Sequence, residues 1–406
     1  MHISMIDPSL FTLPYDRALL GGLRDNGHQV TLHGRSLDAD DNSADGVDLA
    51  EDFYRVANSK TASKLPAPLR LVVKGLDHTW SMWRLLRRLR QNPPDVIHFQ
   101  WLPLPVVDQT VIGAFSRIAP LVLTVHDTDP FNGDPTSRIQ RVGYANCLRQ
   151  FNRLIVHTQQ GRERMLTQGI AAERLAVMPH GPLTPRTADV GDTMTGPITF
   201  ILFGKIKAYK GVDVMIKAFA MLPAALRAQA RVRIVGKPYM DLAPLRDLAV
   251  AEGVADQFSF EPGFIEDDAV NALFGEGTVA VFPYREIETS GVLFLALAQG
   301  RPVVASDLGS FGEILQDGSQ GHLVPPGDCA ALSNSLAHMI ADRDFAAACA
   351  SAAWARAGKI PAWSEIAGDT AQVYRAAGAG TAMGDAGRSR AIEISNSTIK
   401  IMGGNC

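Results

Sequence analysis

The 406-residue chain is poor in cysteine, and Cys147, Cys329, Cys349 and Cys406 stand far apart with no close pair. That spacing excludes a disulfide framework and a zinc knuckle, and makes a reducing cytoplasm the simplest setting. No apolar run reaches membrane-spanning length, and residues 1–30 lack a charged leader followed by an apolar core, so neither a transmembrane segment nor an export signal is expected. An excess of basic charge is missing too. With 39 Lys and Arg against 42 Asp and Glu the net charge is −3, which argues against general affinity for nucleic acid. A GxGxxG fingerprint is also absent. Gly21-Gly22 fall inside a helical pattern instead, which weighs against a nicotinamide-dependent oxidoreductase.

What the chain does have is length and apolar content. Its 406 residues, 46% of them hydrophobic, exceed what one core fills, so two domains are expected. Strands at the start of the chain (MHISMID), Gln29–His33, Pro94–Gln100, Leu121–Val125, Leu154–His157 and Leu175–Pro179 alternate with helical patterns over residues 1–183. Residues 34–62, polar and rich in Asp, read as a long connection. The stretch 184–196 is polar, with Pro, Thr and Gly, and reads as an interdomain linker. A second series over residues 197–361 has strands at Ile198–Phe203, Arg231–Val235 and Phe258–Phe260, in the apolar run up to Pro283, and at Pro302–Ala305. Both series predict doubly wound parallel sheets, with a last helix over 362–377 and a poorly ordered tail over 378–406.

The second series is organised around VFPYREIETSGVLFLALAQGRPVVASDLGSFGE, residues 281–313. A strand, an acidic loop and a short apolar helix follow one another. The helix start at Ser290, Gly291 and Val292 offers unpaired N–H groups and the positive end of the helix dipole, a fit for phosphate. Taken alone it reads first as one more crossover of an α/β sheet, because Ser-Gly is common at a helix start. Lys205 and Lys210 flank the loop after the strand that ends at Gly204, and could converge on the same anion or simply be solvated. His126 ends a strand where catalytic side chains gather in open α/β sheets, or else is a structural histidine. After Pro68, Trp80, Trp83, Leu86 and Leu89 interleave with Arg84, Arg87, Arg88 and Arg90. Two readings stand for this helix: an apolar stripe packed on the sheet with its arginines in water, or a basic, Trp-bearing surface that touches anionic lipid headgroups.

Taken together, TVHD (124–127), VMPHGP (177–182), FGKIKAYKG (203–211), VGKP (235–238), PGFI (262–265) and residues 283–313 resemble the retaining glycosyltransferases of family four, in matching order over roughly residues 1–376. The resemblance implies an α/β GT-B fold, two Rossmann-like domains facing across a cleft, with the last helix crossing back to the first. It implies that Gly204, Lys205 and Lys210 grip the diphosphate of a GDP- or UDP-linked sugar, and that Ser290, Gly291 and Val292 hold its distal phosphate. Gly263, Phe264 and Ile265 would take the base, His126 would lie beside the sugar, and Glu313 belongs to the same donor site. One departure is plain: where the family carries a ribose-binding glutamate this chain has Leu295, so Glu286 or Glu288 is expected to act on the donor sugar. Asp16 would lie on the acceptor side. No DxD pair stands at a strand end and the two lysines can stabilise the leaving group, so neither a metal nor another cofactor is expected.

The implied reaction is retaining transfer of a hexose to a lipid-linked or oligosaccharide acceptor, in exopolysaccharide or lipopolysaccharide assembly. It would take place in the cytoplasm or at the inner face of its membrane. Competing readings are a GT-B sugar-nucleotide enzyme of other chemistry, such as an epimerase or a phosphorylase, and a non-catalytic partner of another glycosyltransferase.

Overall fold

The structure is a computed structural model that describes residues 1–38, 47–128, 142–184, 186, 194–265 and 267–382. Most of the linker at 184–196 and the tail beyond 382 lie outside the described residues. Seven parallel strands form the first sheet: β1 (His2–Ile6), β2 (Gln29–Arg35), β3 (Leu49–Phe53), β4 (Val96–Phe99), β5 (Leu121–Val125), β6 (Arg153–Val156) and β7 (Leu175–Val177). Their order is β3-β2-β1-β4-β5-β6-β7. The second sheet has six: β8 (Ile198–Phe203), β9 (Ala230–Gly236), β10 (Phe258–Pro262), β11 (Thr278–Phe282), β12 (Val303–Ser306) and β13 (Gly321–Val324), ordered β10-β9-β8-β11-β12-β13. The central strands are buried along their whole length because helices cover both faces, which is why they read as apolar runs without alternation.

Strand β3 falls within residues 34–62, which the sequence reads only as a long connection. It carries Glu51 and Asp52, an unpromising composition for a strand. Asp52 is nevertheless buried, accepting a hydrogen bond from His33 Nδ1 at 2.8 Å and another from Arg88. These partners hold its carboxyl below the ordinary carboxylate range against the opposing effect of burial. Helix Ala67–Gln91 packs through Met82, Leu85, Leu86 and Leu89, but not through its tryptophans. Trp80 is 66% exposed and Trp83 49%, so the stripe that meets the core is rotated away from them.

The last helix runs further than expected, from Trp363 to Ala382, and belongs to the first lobe although it follows the second in sequence. Ile366, Ala367, Val373, Tyr374 and Ala377 complete the core built on Ile3, Leu19 and Leu23. Glycine at position 22 permits the contact, since a Cβ there would lie 2.3 Å from the Trp363 carbonyl oxygen.

Candidate active site

In an open parallel sheet the ligand crevice lies at the carboxyl ends of the strands, where the winding direction reverses. That point falls between β1 and β4 in the first lobe and between β8 and β11 in the second. The loops after these four strands, joined by those after β5 and β6 that carry His126 and His157, supply the walls of the crevice. They enclose a cleft of about 910 Å³. Phe11, Tyr15, Trp101, His126 and His157 line one side, and Lys207, Tyr209, Arg285, Glu286, Glu288 and Gly291 line the other.

On the second-lobe side β8 ends at Gly204, with φ +107°, where a Cβ would lie 3.2 Å from Lys210 Nζ and 3.5 Å from Val292 Cγ2. At the end of β9 a Cβ on Gly236 would sit 2.1 Å from the Gly204 carbonyl oxygen. Bare backbone at both ends leaves room for cations. Lys210 donates to the Phe203 carbonyl at 3.5 Å, with its ammonium 5.0 Å from the Tyr284 ring centroid. Burial depresses the basicity of Lys210, and Tyr209 partly restores it. Lys205 is depressed as well, first by desolvation and then by repulsion from Lys207, Lys210 and Lys237. Positive charge gathered at the ends of β8 and β9 is relieved by an anion. Helix Gly291–Ala298 begins beside them, and the Ser290 side chain makes no capping hydrogen bond to it.

The first-lobe wall is a row of buried rings. His126 Nε2 meets the Gln100 side chain at 3.0 Å, His126 Nδ1 meets His157 Nε2 at 3.1 Å, and His157 Nδ1 meets the Met178 carbonyl at 3.0 Å. Burial keeps both imidazoles uncharged, lowering His157 to about 4 and His126 well below its ordinary value, the latter helped by His157, His180 and His98. Two neutral rings carry two N–H groups, which is one too few if both ends of the row face carbonyl oxygens. Turning the Gln100 amide so that its NH₂ donates to His126 balances the row: His126 Nδ1–H then donates to His157, and His157 Nδ1–H to Met178. Either way both His126 nitrogens are engaged by the protein. Tyr15 packs edge-on against His126 with centroids 4.7 Å apart, and Trp363 donates to the Pro182 carbonyl at 2.6 Å behind it.

Two acids join the lobes. Glu288 accepts from the backbone N–H of Thr128 at 2.5 Å and from the Thr128 hydroxyl, with Arg164 3.5 Å away. Glu313 accepts from the N–H groups of Gln159 and Gln160 at 3.0 and 2.8 Å, so it fills the start of helix Gln159–Thr167, and Gln160 Oε1 in turn accepts from Gly309 N–H at 3.1 Å.

Residues 197–342 match the family described as Glycosyl transferases group 1, and residues 14–181 match the Glycosyl transferase 4-like domain. The chain belongs to the group 1 glycosyl transferases. Over 168 residues, 41% of this chain and 42% of its relative, it is 34% identical to a phosphatidyl-myo-inositol mannosyltransferase of Mycobacterium leprae. It is 27% identical to a D-inositol 3-phosphate glycosyltransferase of Nocardia farcinica, over 55% of this chain and 54% of the relative. The chain thus spans about half the length of the curated relatives it matches. The crystal structure of Anabaena HepE in complex with UDP and glucose superposes with a TM-score of 0.70 at 18% identity, over 92% of this chain and 99% of that one. The two sheets facing across a cleft are the GT-B fold.

Several of the residues that a group 1 glycosyl transferase would use come together here. Gly204, Lys210 and Val292 are neighbours, and His126 shares the cleft with Glu286, Glu288 and Gly291. Others lie elsewhere. Asp16 is not on the acceptor wall but fully buried, its carboxyl pushed well up by burial and by Asp7. Together the two acids hold Thr12. Glu313 is spent on the lobe contact. Gly263, Phe264 and Ile265 follow β10 and are not part of the cleft wall, although Gly263 N–H donates to the Gly236 carbonyl at 3.2 Å. Leu295 is explained by packing, since it is buried in the core with Phe282 and Phe311. The sequence reading passed over Lys207, Arg285, His157 and the Phe11–Trp101 pair. For the histidine the signal was present, because His157 ends its strand just as His126 does.

Proposed function

We propose that the protein is a retaining glycosyltransferase which takes a hexose from a UDP- or GDP-linked donor and needs no metal to do so. One observation carries this reading: Lys210 Nζ and Val292, in the first turn of helix Gly291–Ala298, both lie against Gly204 at the end of β8, and Lys207 and Gly291 line the cleft opposite His126. As the bond from sugar to phosphate breaks, negative charge grows on the diphosphate, and cations already in place stabilise it without reorganising. Glu288, on the same wall, supplies the opposite charge to the cationic sugar. The UDP and glucose of the Anabaena neighbour suit a cleft of this shape.

We further propose that the acceptor is lipid-linked and that the protein reaches it at an anionic membrane surface, within surface-polysaccharide assembly. No helix among the described residues is long and apolar enough to cross a membrane. Helix Ala67–Gln91, however, exposes Leu69, Val72, Leu76, Trp80 and Trp83 at helical spacing. It follows β3, and every strand of the sheet points to the cleft, so its apolar first half starts at the cleft end. Of the arginines, Arg84 and Arg88 are tied to Asp52, while Arg87 is exposed for headgroups.

One experiment tests both parts. The protein is incubated with UDP-glucose or GDP-mannose and phosphatidylglycerol vesicles, then spun. Nucleoside diphosphate is expected in the supernatant and protein in the pellet, with pelleting reduced by Trp80→Ser and Trp83→Ser together. No release from either donor, with or without saccharide acceptors, would count against transfer. Pelleting equal to that with neutral phosphatidylcholine vesicles would remove the membrane part.

A further inference from the structure

The switch point of the second lobe is occupied by the donor chemistry described above, whereas that of the first lobe, between β1 and β4, has been given no ligand. We propose that Phe11 and Trp101, which project from the loops after these two strands, form the seat for a sugar ring of the acceptor, a pyranose laid with its C–H face on the aromatic pair. The proposal rests on the glycosyltransferase reading and names the acceptor class: a saccharide, not a bare lipid phosphate.

Three observations support it. The two rings stack at 4.7 Å with an interplanar angle of 23°, and both line the cleft. Phe11 is 49% exposed, an unfavourable place for a phenyl ring unless something covers it. The backbone is also strained to put it there. Leu10, just before it, has φ +50°, a conformation unfavourable for a bulky residue.

What holds this strained turn is a built-in clamp. The Asp7 carboxylate accepts from the N–H groups of Ser9 and Thr12 at 3.2 and 3.0 Å, and Asp16 is bonded to the Thr12 hydroxyl. Leu10 is buried beneath, in a space where a Cβ on Gly34 would come within 2.4 Å of its Cδ2. A loop that fixes an exposed aromatic ring is pre-organised for a flat apolar face. The surroundings are too polar for an acyl chain: Lys205 Nζ, from the other lobe, lies 4.8 Å from the Phe11 centroid, and Asp127 and Thr12 share the cleft wall. A pyranose satisfies both demands, since its C–H face meets the rings and its hydroxyls meet the charged rim. The Lys205 contact also places the seat next to the donor diphosphate, where a nucleophilic hydroxyl is needed.

The test uses the full chain, saturated with UDP or GDP, and methyl glucoside, mannoside and galactoside as probes in saturation-transfer NMR. At least one pyranoside should take up saturation on the ring protons of one face. Phe11→Ala and Trp101→Ala should each weaken that binding about tenfold or more, the loss expected for a stacking contact. Phe11→Leu, which keeps the apolar volume, guards against a merely unfolded loop, and should fall between. Nucleotide affinity should be unchanged in Trp101→Ala, which leaves the contact of Lys205 with Phe11 in place. Saturation that persists in both alanine variants, or that is absent for every pyranoside while nucleotide binds the wild type, would overturn the proposal. Absence of nucleotide binding in the wild type would instead sink the donor reading, and this inference with it.

Discussion

Lys210→Ala is expected to lower turnover by about two orders of magnitude or more, the size found when one pre-organised contact to a developing anion is removed. Its ammonium sits against Gly204 and near Val292, between the end of β8 and the start of helix Gly291–Ala298, so it can reach an anion held by that helix. The charge is worth more there than on the surface, because the site is partly shielded from water. Folding should suffer little. The Phe203 carbonyl contact is long at 3.5 Å, and an alanine removes a desolvated cation along with it. Lys205→Ala, at the more exposed position, should have a smaller effect. Steady-state release of nucleoside diphosphate from the donor measures both. Near-normal turnover in Lys210→Ala would take this lysine out of the reaction.

Glu288→Gln is expected to cost about a hundredfold in kcat with a small change in donor KM. The substitution keeps the shape and one acceptor oxygen for Thr128 but removes the charge proposed to act on the sugar. A second role has to be separated from this one, because Glu288 also joins the lobes through both polar groups of Thr128. If joining the lobes were its whole contribution, Thr128→Val would reproduce the loss. Thr128→Val removes one charge-assisted hydrogen bond, worth about 1.5–3 kcal/mol, while the Thr128 N–H contact remains, so its loss of turnover should stay below that of Glu288→Gln. Equal losses in the two variants would assign Glu288 to lobe contact alone.

These two residues also show what was legible in the sequence. A parallel strand buried on both faces has to be apolar throughout, and Gly204 and Gly300 mark where β8 and helix Gly291–Ala298 end, so the second lobe and its anion site stood out. The first lobe was harder. β3 hides a buried acid that only its partners His33 and Arg88 make tolerable, and these are 19 and 36 residues away from Asp52. The family resemblance puts Asp16 on the acceptor side, but burial beside Asp7 is a property of the folded loop that no local pattern displays. Trp80 and Trp83 sat at helical spacing with Leu86, yet the face that packs was settled by the sheet beneath. Phe11 and Trp101 lie 90 positions apart in the sequence and meet only because β1 and β4 are neighbours. Glu313 was linked to the donor, but its carboxylate instead caps a helix of the opposite lobe, a contact that depends on how the domains are set against each other.

The central claim, that the lysines of the β8 loop and the start of helix Gly291–Ala298 hold a diphosphate, is tested most directly by calorimetric titration with UDP and GDP beside UMP and GMP. One diphosphate should bind about tenfold or more tightly than its own monophosphate, a difference set by the added phosphate, and Lys210→Ala should abolish that preference. Equal affinity for the two, or a preference that survives the substitution, would contradict the account.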